Sequence, residues 1–98
     1  MSVNISDVVA KRVCIEGRVQ GVWFRGWVVE QARENGLVGW VRNRRDGTVE
    51  AHFEGSASAV EHLVSACGDG PLAARVRRVD AVAIGPEGLA NFSQHPTA

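Results

Sequence analysis

Two hydrophobic periods alternate along this chain in an order that few folds can satisfy. Arg12 to Glu16 places Val13 and Ile15 on one side, as a half-buried strand does, and the pattern stops at Gly17. From Phe24 to Asn35 the period changes. Phe24, Val28 and Ala32 recur at fourfold spacing, with Glu30, Arg33 and Glu34 between them, which predicts an amphipathic helix stopped by Asn35-Gly36. Val38 to Asn43 and Thr48 to Glu54 predict a second and a third strand, joined by a hairpin turn at Asp46-Gly47. In the third strand Val49, Ala51 and Phe53 form the core side and alternate with Glu50, His52 and Glu54. A second helix opens with Ser58, followed three residues later by Glu61 as in a capping box. It carries Val60, Leu63, Val64 and Cys67 on one stripe and ends at Gly68, Gly70 and Pro71. Val76 to Ile84 is β-branched enough for a fourth strand, although its untidy alternation leaves the inward side open, and a short fifth strand is possible around Phe92.

The order β-α-β-β-α-β is that of the split βαβ, ferredoxin-like fold, an α+β sandwich in which two helices cover one face of an antiparallel sheet. If both crossovers are right-handed, the third strand inserts between the first and second, which then run parallel and end at the same edge. That edge collects the loop Gly17 to Val22, the start of the first helix with Arg25, and Asn43 at the end of the second strand. Two strand spacings separate Asn43 from the first strand, about 10 Å, a gap that side chains can close around a small ligand.

The chain has 98 residues, the size of one domain over 1–98, with residues 1–8 and 94–98 expected to fray. Lys plus Arg equals Asp plus Glu, 11 against 11, so no broad basic field exists to hold nucleic acid, and an anion site must be local. Cys14 and Cys67 stand in no zinc-binding spacing and make no disulfide framework. The first ten residues lack the basic start and apolar run of a secretory signal, and no membrane span is present, so the cytoplasm is the expected location. A monomer is expected.

Gly17-Arg18-Val19-Gln20-Gly21-Val22 leads from a strand to a helix N-terminus, where free backbone N–H groups and the positive end of the helix dipole favour an anion. No GK[ST] follows, which excludes a Walker nucleotide loop. Taken alone, such a loop reads more simply as a turn than as a phosphate cradle.

Gly17-Arg18-Val19-Gln20-Gly21-Val22-Trp23-Phe24-Arg25 resembles the acylphosphatase signature G-x-V-Q-G-V-x-F-R. Gly39-Trp40-Val41-Arg42-Asn43, with Asp46-Gly47-Thr48-Val49-Glu50, resembles the second block of the same family. The match is close over residues 13 to 55 and looser to about Val82. The resemblance implies the ferredoxin-like fold and hydrolysis of a small-molecule acyl phosphate to a carboxylate and inorganic phosphate, without metal or cofactor. By motif it makes Arg25 and Asn43 the catalytic residues, with Gly17, Arg18, Val19, Gln20, Gly21 and Val22 as the phosphate-binding loop. Elementary chemistry is compatible with this. A carboxylate whose acid has a pKa of about 4 leaves without a general acid, so catalytic histidines or paired carboxylates are not required. An arginine fork can hold two phosphoryl oxygens, and a neutral amide can accept a hydrogen bond from water where a carboxylate would repel the anionic substrate.

Other residues have plainer readings. Trp27, Trp40 and Phe24 are expected to pack, while Trp23, in the variable position of the signature, could line the site. His52, His62 and His95 share no ligand spacing, Glu16 and Asp46 read as strand-edge and turn residues, and Arg42, Arg44 and Arg45 read as a solvated cluster. The segment Phe92-Ser93-Gln94-His95-Pro96 departs from the alternation usual in the family's last strand. Two other classes share this kind of fold. An RNA-recognition sheet would display aromatics on its open face, where the third strand has none, Phe53 lying on its core side. An accessory domain of a larger carbamoyl-transfer enzyme would carry fused downstream modules, which this sequence does not show.

Overall fold

The computed structural model describes residues 7–98. Strand β1 (Val8–Arg18) is followed by helix α1 (Phe24–Glu34), strands β2 (Val38–Asn43) and β3 (Val49–Ser56), helix α2 (Ala57–Cys67), strand β4 (Arg75–Ile84) and strand β5 (Phe92–Gln94). In the sheet the order is β4-β1-β3-β2-β5. β3 runs antiparallel to both β1 and β2, so those two are parallel and end at one edge, as the sequence order predicts. β5 adds to β2 in parallel, so the five-stranded sheet is mixed and not wholly antiparallel as the sequence pattern predicts. An isolated three-residue strand after a long connection leaves no local trace of which edge it will join.

One core joins sheet and helices. Val13, Ile15, Val41, Val49, Ala51 and Phe53 from the strands meet Phe24, Val28 and Ala32 of α1 and Val60, Leu63 and Cys67 of α2. Burying each of the valines, leucine, isoleucine and phenylalanines among them is worth about 1.5–3 kcal/mol, which the alternation in the strands and the stripe on the helices make possible. Burial pushes the Cys67 thiol up to about 12, so it stays an unreactive packing group.

Several boundaries differ from the sequence-based expectations. β1 begins at Val8 rather than Arg12 and continues through Gly17 and Arg18, which pair with Val76 and Arg75 of β4 instead of opening a loop. The register between β1 and β4 shifts at Glu16/Gly17 and leaves Arg77 as an extra residue. That bulge explains the untidy alternation of β4, in which Val76 and Val79 both pack on the core. Gly17 holds φ +129°, and a Cβ there would stand 2.2 Å from the Arg75 carbonyl oxygen, so the close approach of β4 requires glycine. The N-cap of α2 is Ser56, not Ser58: β3 runs straight into the helix, and the Ser56 hydroxyl accepts from the Ala59 N–H at 3.3 Å.

The face of β3 turned away from the helices is also buried. Glu50, His52 and Glu54 are 8%, 0% and 2% exposed. Cover comes from distant residues. Trp40 stacks on His52 and His95, with the guanidinium groups of Arg12 and Arg42 each 4.8 Å from its ring centroid. Arg12, Arg42 and Arg44 all pair with Glu50, so two of the three clustered arginines are engaged rather than solvated. The Glu54 carboxylate accepts the backbone N–H groups of Glu87, Gly88 and Leu89 at 2.7–3.3 Å.

The C-terminal segment is held too, where the sequence suggests fraying. The His95 N–H donates to the Val41 carbonyl, the Ala98 N–H to that of Asn43, and the Arg45 N–H to that of Ala98. At the other end the expectation falls partly on residues 1–6, outside the described residues, while Val8 stands in β1. No helix among the described residues is long and apolar enough to cross a membrane.

Candidate active site

Where β1, α1, β2 and β5 converge, a cleft of about 250 Å³ opens. Val19 and Gly21 reach it from the β1–α1 connection, Trp23, Phe24, Arg25 and Gly26 from the start of α1, Asn43 from the end of β2 and Gln94 from β5. Among the described residues that line it, Arg25 is the ionisable one and none carries a carboxylate, so its field is that of an anion site.

The start of α1 has an unusual cap. Trp23, the N-cap, sits in the left-handed region at φ 65°, ψ 24° and makes no side-chain capping bond, and the first turn contains no acidic residue. A non-glycine residue in this conformation costs about 1–2 kcal/mol. The first turn of α1, whose Phe24, Arg25 and Gly26 line the cleft, thus has neither a side-chain cap nor a carboxylate of its own to compete with an anion for its N–H groups.

Asn43 ends β2 opposite Val49 of β3. Its backbone carbonyl accepts from Ala98, and its side-chain Oδ1 is buried without a hydrogen-bond partner among the described residues. A buried amide oxygen left unpaired carries a penalty of about 1–3 kcal/mol, which a hydrogen-bonding ligand can relieve.

Of the residues singled out by sequence, Arg25, Asn43, Val19 and Gly21 meet at this cleft. Gly17, Arg18, Gln20 and Val22 have other contacts. Gly17 pairs with Val76 beside the bulge of β4, and Arg18 pairs with Arg75. The Gln20 amide donates from Nε2 to the carbonyls of Arg44 and Thr48 at 2.7 and 2.9 Å, tying the β1–α1 connection to the β2–β3 hairpin. Val22 packs against the core. Asp46 caps the same hairpin by accepting from the Thr48 N–H and hydroxyl, which holds its carboxyl below the usual range. Gln94 and Gly26 are lining residues that sequence reasoning missed, and Gln94 is the more distant of them. Gln94 lies in a segment read as fraying, and the signal for it was the phenylalanine two residues earlier, Phe92, which is 1% exposed and anchors β5. Among the described residues no group of three or more His, Cys, Asp or Glu side chains is placed to hold a metal ion.

The acylphosphatase family model matches residues 11–93. An acylphosphatase of Rhodospirillum rubrum is 52% identical over 85 residues, which cover 87% of this chain and 93% of the relative. Among solved structures, an acylphosphatase from Coxiella burnetii superposes with a TM-score of 0.92 at 32% identity, covering 97% of this chain and all of that one. Acylphosphatase from Bacillus subtilis superposes with a TM-score of 0.86 at 36% identity, over 89% and 98% of the respective chains.

Proposed function

This chain belongs to the acylphosphatase family of hydrolases, and from that membership we propose that Arg25 binds the phosphoryl group of an acyl phosphate while Asn43 positions the attacking water. The observation that carries the proposal is the meeting of these two side chains in one carboxylate-free cleft at the uncapped start of α1.

The substrate's phosphoryl oxygens sit against the Arg25 fork and the first N–H groups of α1, with the connection around Val19 and Gly21 as the cradle. The Asn43 side-chain amide hydrogen-bonds the attacking water and aims it in line with the acyl oxygen. As the water oxygen bonds to phosphorus, the phosphorus–acyl oxygen bond breaks and its electron pair leaves with the carboxylate. Both water hydrogens stay with the phosphate, giving a carboxylate and dihydrogen phosphate. An amide cannot take a proton, and none needs to be removed early in a loose phosphoryl-transfer transition state. The reaction drawn this way uses no metal and no cofactor. Its chief demand is positive charge and donors on the equatorial oxygens, which the arginine and the helix start meet.

A nucleic-acid role has less support. The ring of Trp40 on the sheet's second face is only 8% exposed, stacked between histidines and arginines, and offers no platform for a base.

Hydrolysis of benzoyl phosphate in excess chelator tests the reading, with Arg25→Ala as the matched variant. Rapid turnover that the variant loses supports it. A folded wild type without turnover would leave a phosphate-binding site that does no chemistry.

A further inference from the structure

The Trp23 indole has no task in the phosphoryl chemistry, and its placement is not that of a packing side chain. Trp23 is 58% exposed, whereas Val19 and Phe24, the other large apolar side chains of the cleft wall, are each 1% exposed and offer a ligand almost no surface. Bulky residues in the left-handed region concentrate where a site uses the conformation. The indole also has a seat made for it. It lies over the first turn of α1 so closely that a Cβ on Gly26 would stand 2.2 Å from Nε1 and 2.7 Å from Cδ1. An aromatic face is thus held at the rim of a polar cleft.

We infer that Trp23 is the acyl-group contact, an apolar platform that favours acyl phosphates with aromatic or long aliphatic acyl groups over those with small or polar ones. The inference rests on the acylphosphatase reading of the same cleft. A space of about 250 Å³ takes the phosphoryl group and the start of the acyl chain, and the rest of that chain must pass the rim where Trp23 stands. Contact between an aromatic acyl group and the indole is worth a factor of about 2 to 10 in transition-state binding.

The test compares kcat/KM for benzoyl phosphate and acetyl phosphate in wild type, Trp23→Ala and Trp23→Phe, together with inhibition by inorganic phosphate. The benzoyl-to-acetyl ratio is expected to fall about five- to tenfold in Trp23→Ala and to recover in Trp23→Phe, with the inhibition constant for phosphate moving less than about twofold. An unchanged ratio overturns the inference. So does an equal loss on both substrates with weaker phosphate inhibition, which would place Trp23 in the phosphoryl site. Wild type that hydrolyses neither substrate overturns the acylphosphatase reading itself, and this inference with it.

Discussion

His52 and Glu54, two residues apart on β3, join through Nε2 and Oε1 at 2.9 Å on the sheet face away from both helices, with the histidine side chain fully buried and the glutamate side chain 3% exposed. The same carboxylate receives three backbone N–H groups from residues 87 to 89, so it fastens the connection between β4 and β5 to the centre of the sheet. Glu54→Ala removes the acceptor for all four donors at once. We expect it to lower stability by about 3 kcal/mol, the scale of a buried charge network broken on one side. A urea midpoint that does not shift would show that the connection is held by other contacts.

Acid should act on the same face. Burial alone would push the Glu54 carboxyl up, but the bonds from His52 and from the N–H groups of Glu87, Gly88 and Leu89 outweigh it and hold it low. At Glu50, burial is likewise outweighed, by the Arg42 hydrogen bond and the charges of Arg42, Arg44 and Arg12. Both carboxyls therefore bind a proton more readily unfolded than folded. Their contribution to stability is complete above their ordinary value of 4.5 and is lost as pH falls through the lower folded values. Melting temperature should hold level from neutral pH to about 5 and decline below about 4.5, with a shallower acid limb in Glu54→Gln. An acid limb identical in the two proteins would assign the decline to other groups.

Arg25→Ala should reduce turnover of an acyl phosphate about 10³-fold or more, and Arg25→Lys should recover little, because a point charge cannot hold two oxygens as a fork does. Asn43→Ala should reduce turnover about 10²- to 10³-fold with phosphate inhibition largely retained. Near-normal rates in both folded variants would remove the assignment.

Two glycines should respond in opposite ways to alanine. At Gly17 the new Cβ would meet backbone of β4 at φ +129°, where nothing can yield, and a loss of about 3 kcal/mol is expected. At Gly26 its three nearest neighbours would be atoms of the Trp23 side chain, which can swing away, while alanine improves helix propensity by about 1 kcal/mol. Gly26→Ala should therefore fold as well as wild type or better and yet discriminate less between benzoyl and acetyl phosphate. Thermal melts and the two kcat/KM values decide it. A Gly26→Ala protein with intact preference would show that the seat of the indole is immaterial.

Both helices, all five strands and the meeting of Arg25 with Asn43 are legible in the chain itself. Phe24, Val28 and Ala32 declare one buried stripe, and all three are at most 1% exposed. Handedness of the crossovers then places the ends of β1 and β2 together without further information. Local periodicity reports one face of one element, however, and says nothing about what covers the other. Glu50, His52 and Glu54 look like the solvated side of β3, and only the fold brings Arg12, Arg42 and the 87–89 connection over them, the last from 33 to 35 residues away. The same holds for Gln94, which reaches the cleft because β5 docks on the free edge of β2, and for Gly17, whose need for glycine is imposed by a bulge in β4. Sequence alone determined the elements, their order and the two blocks that match the family, because these depend on neighbours within a turn or a strand. Tertiary structure decided the second face of the sheet, the course of the C-terminal segment and the wall around the cleft, because each is made by contacts between segments that share no local pattern.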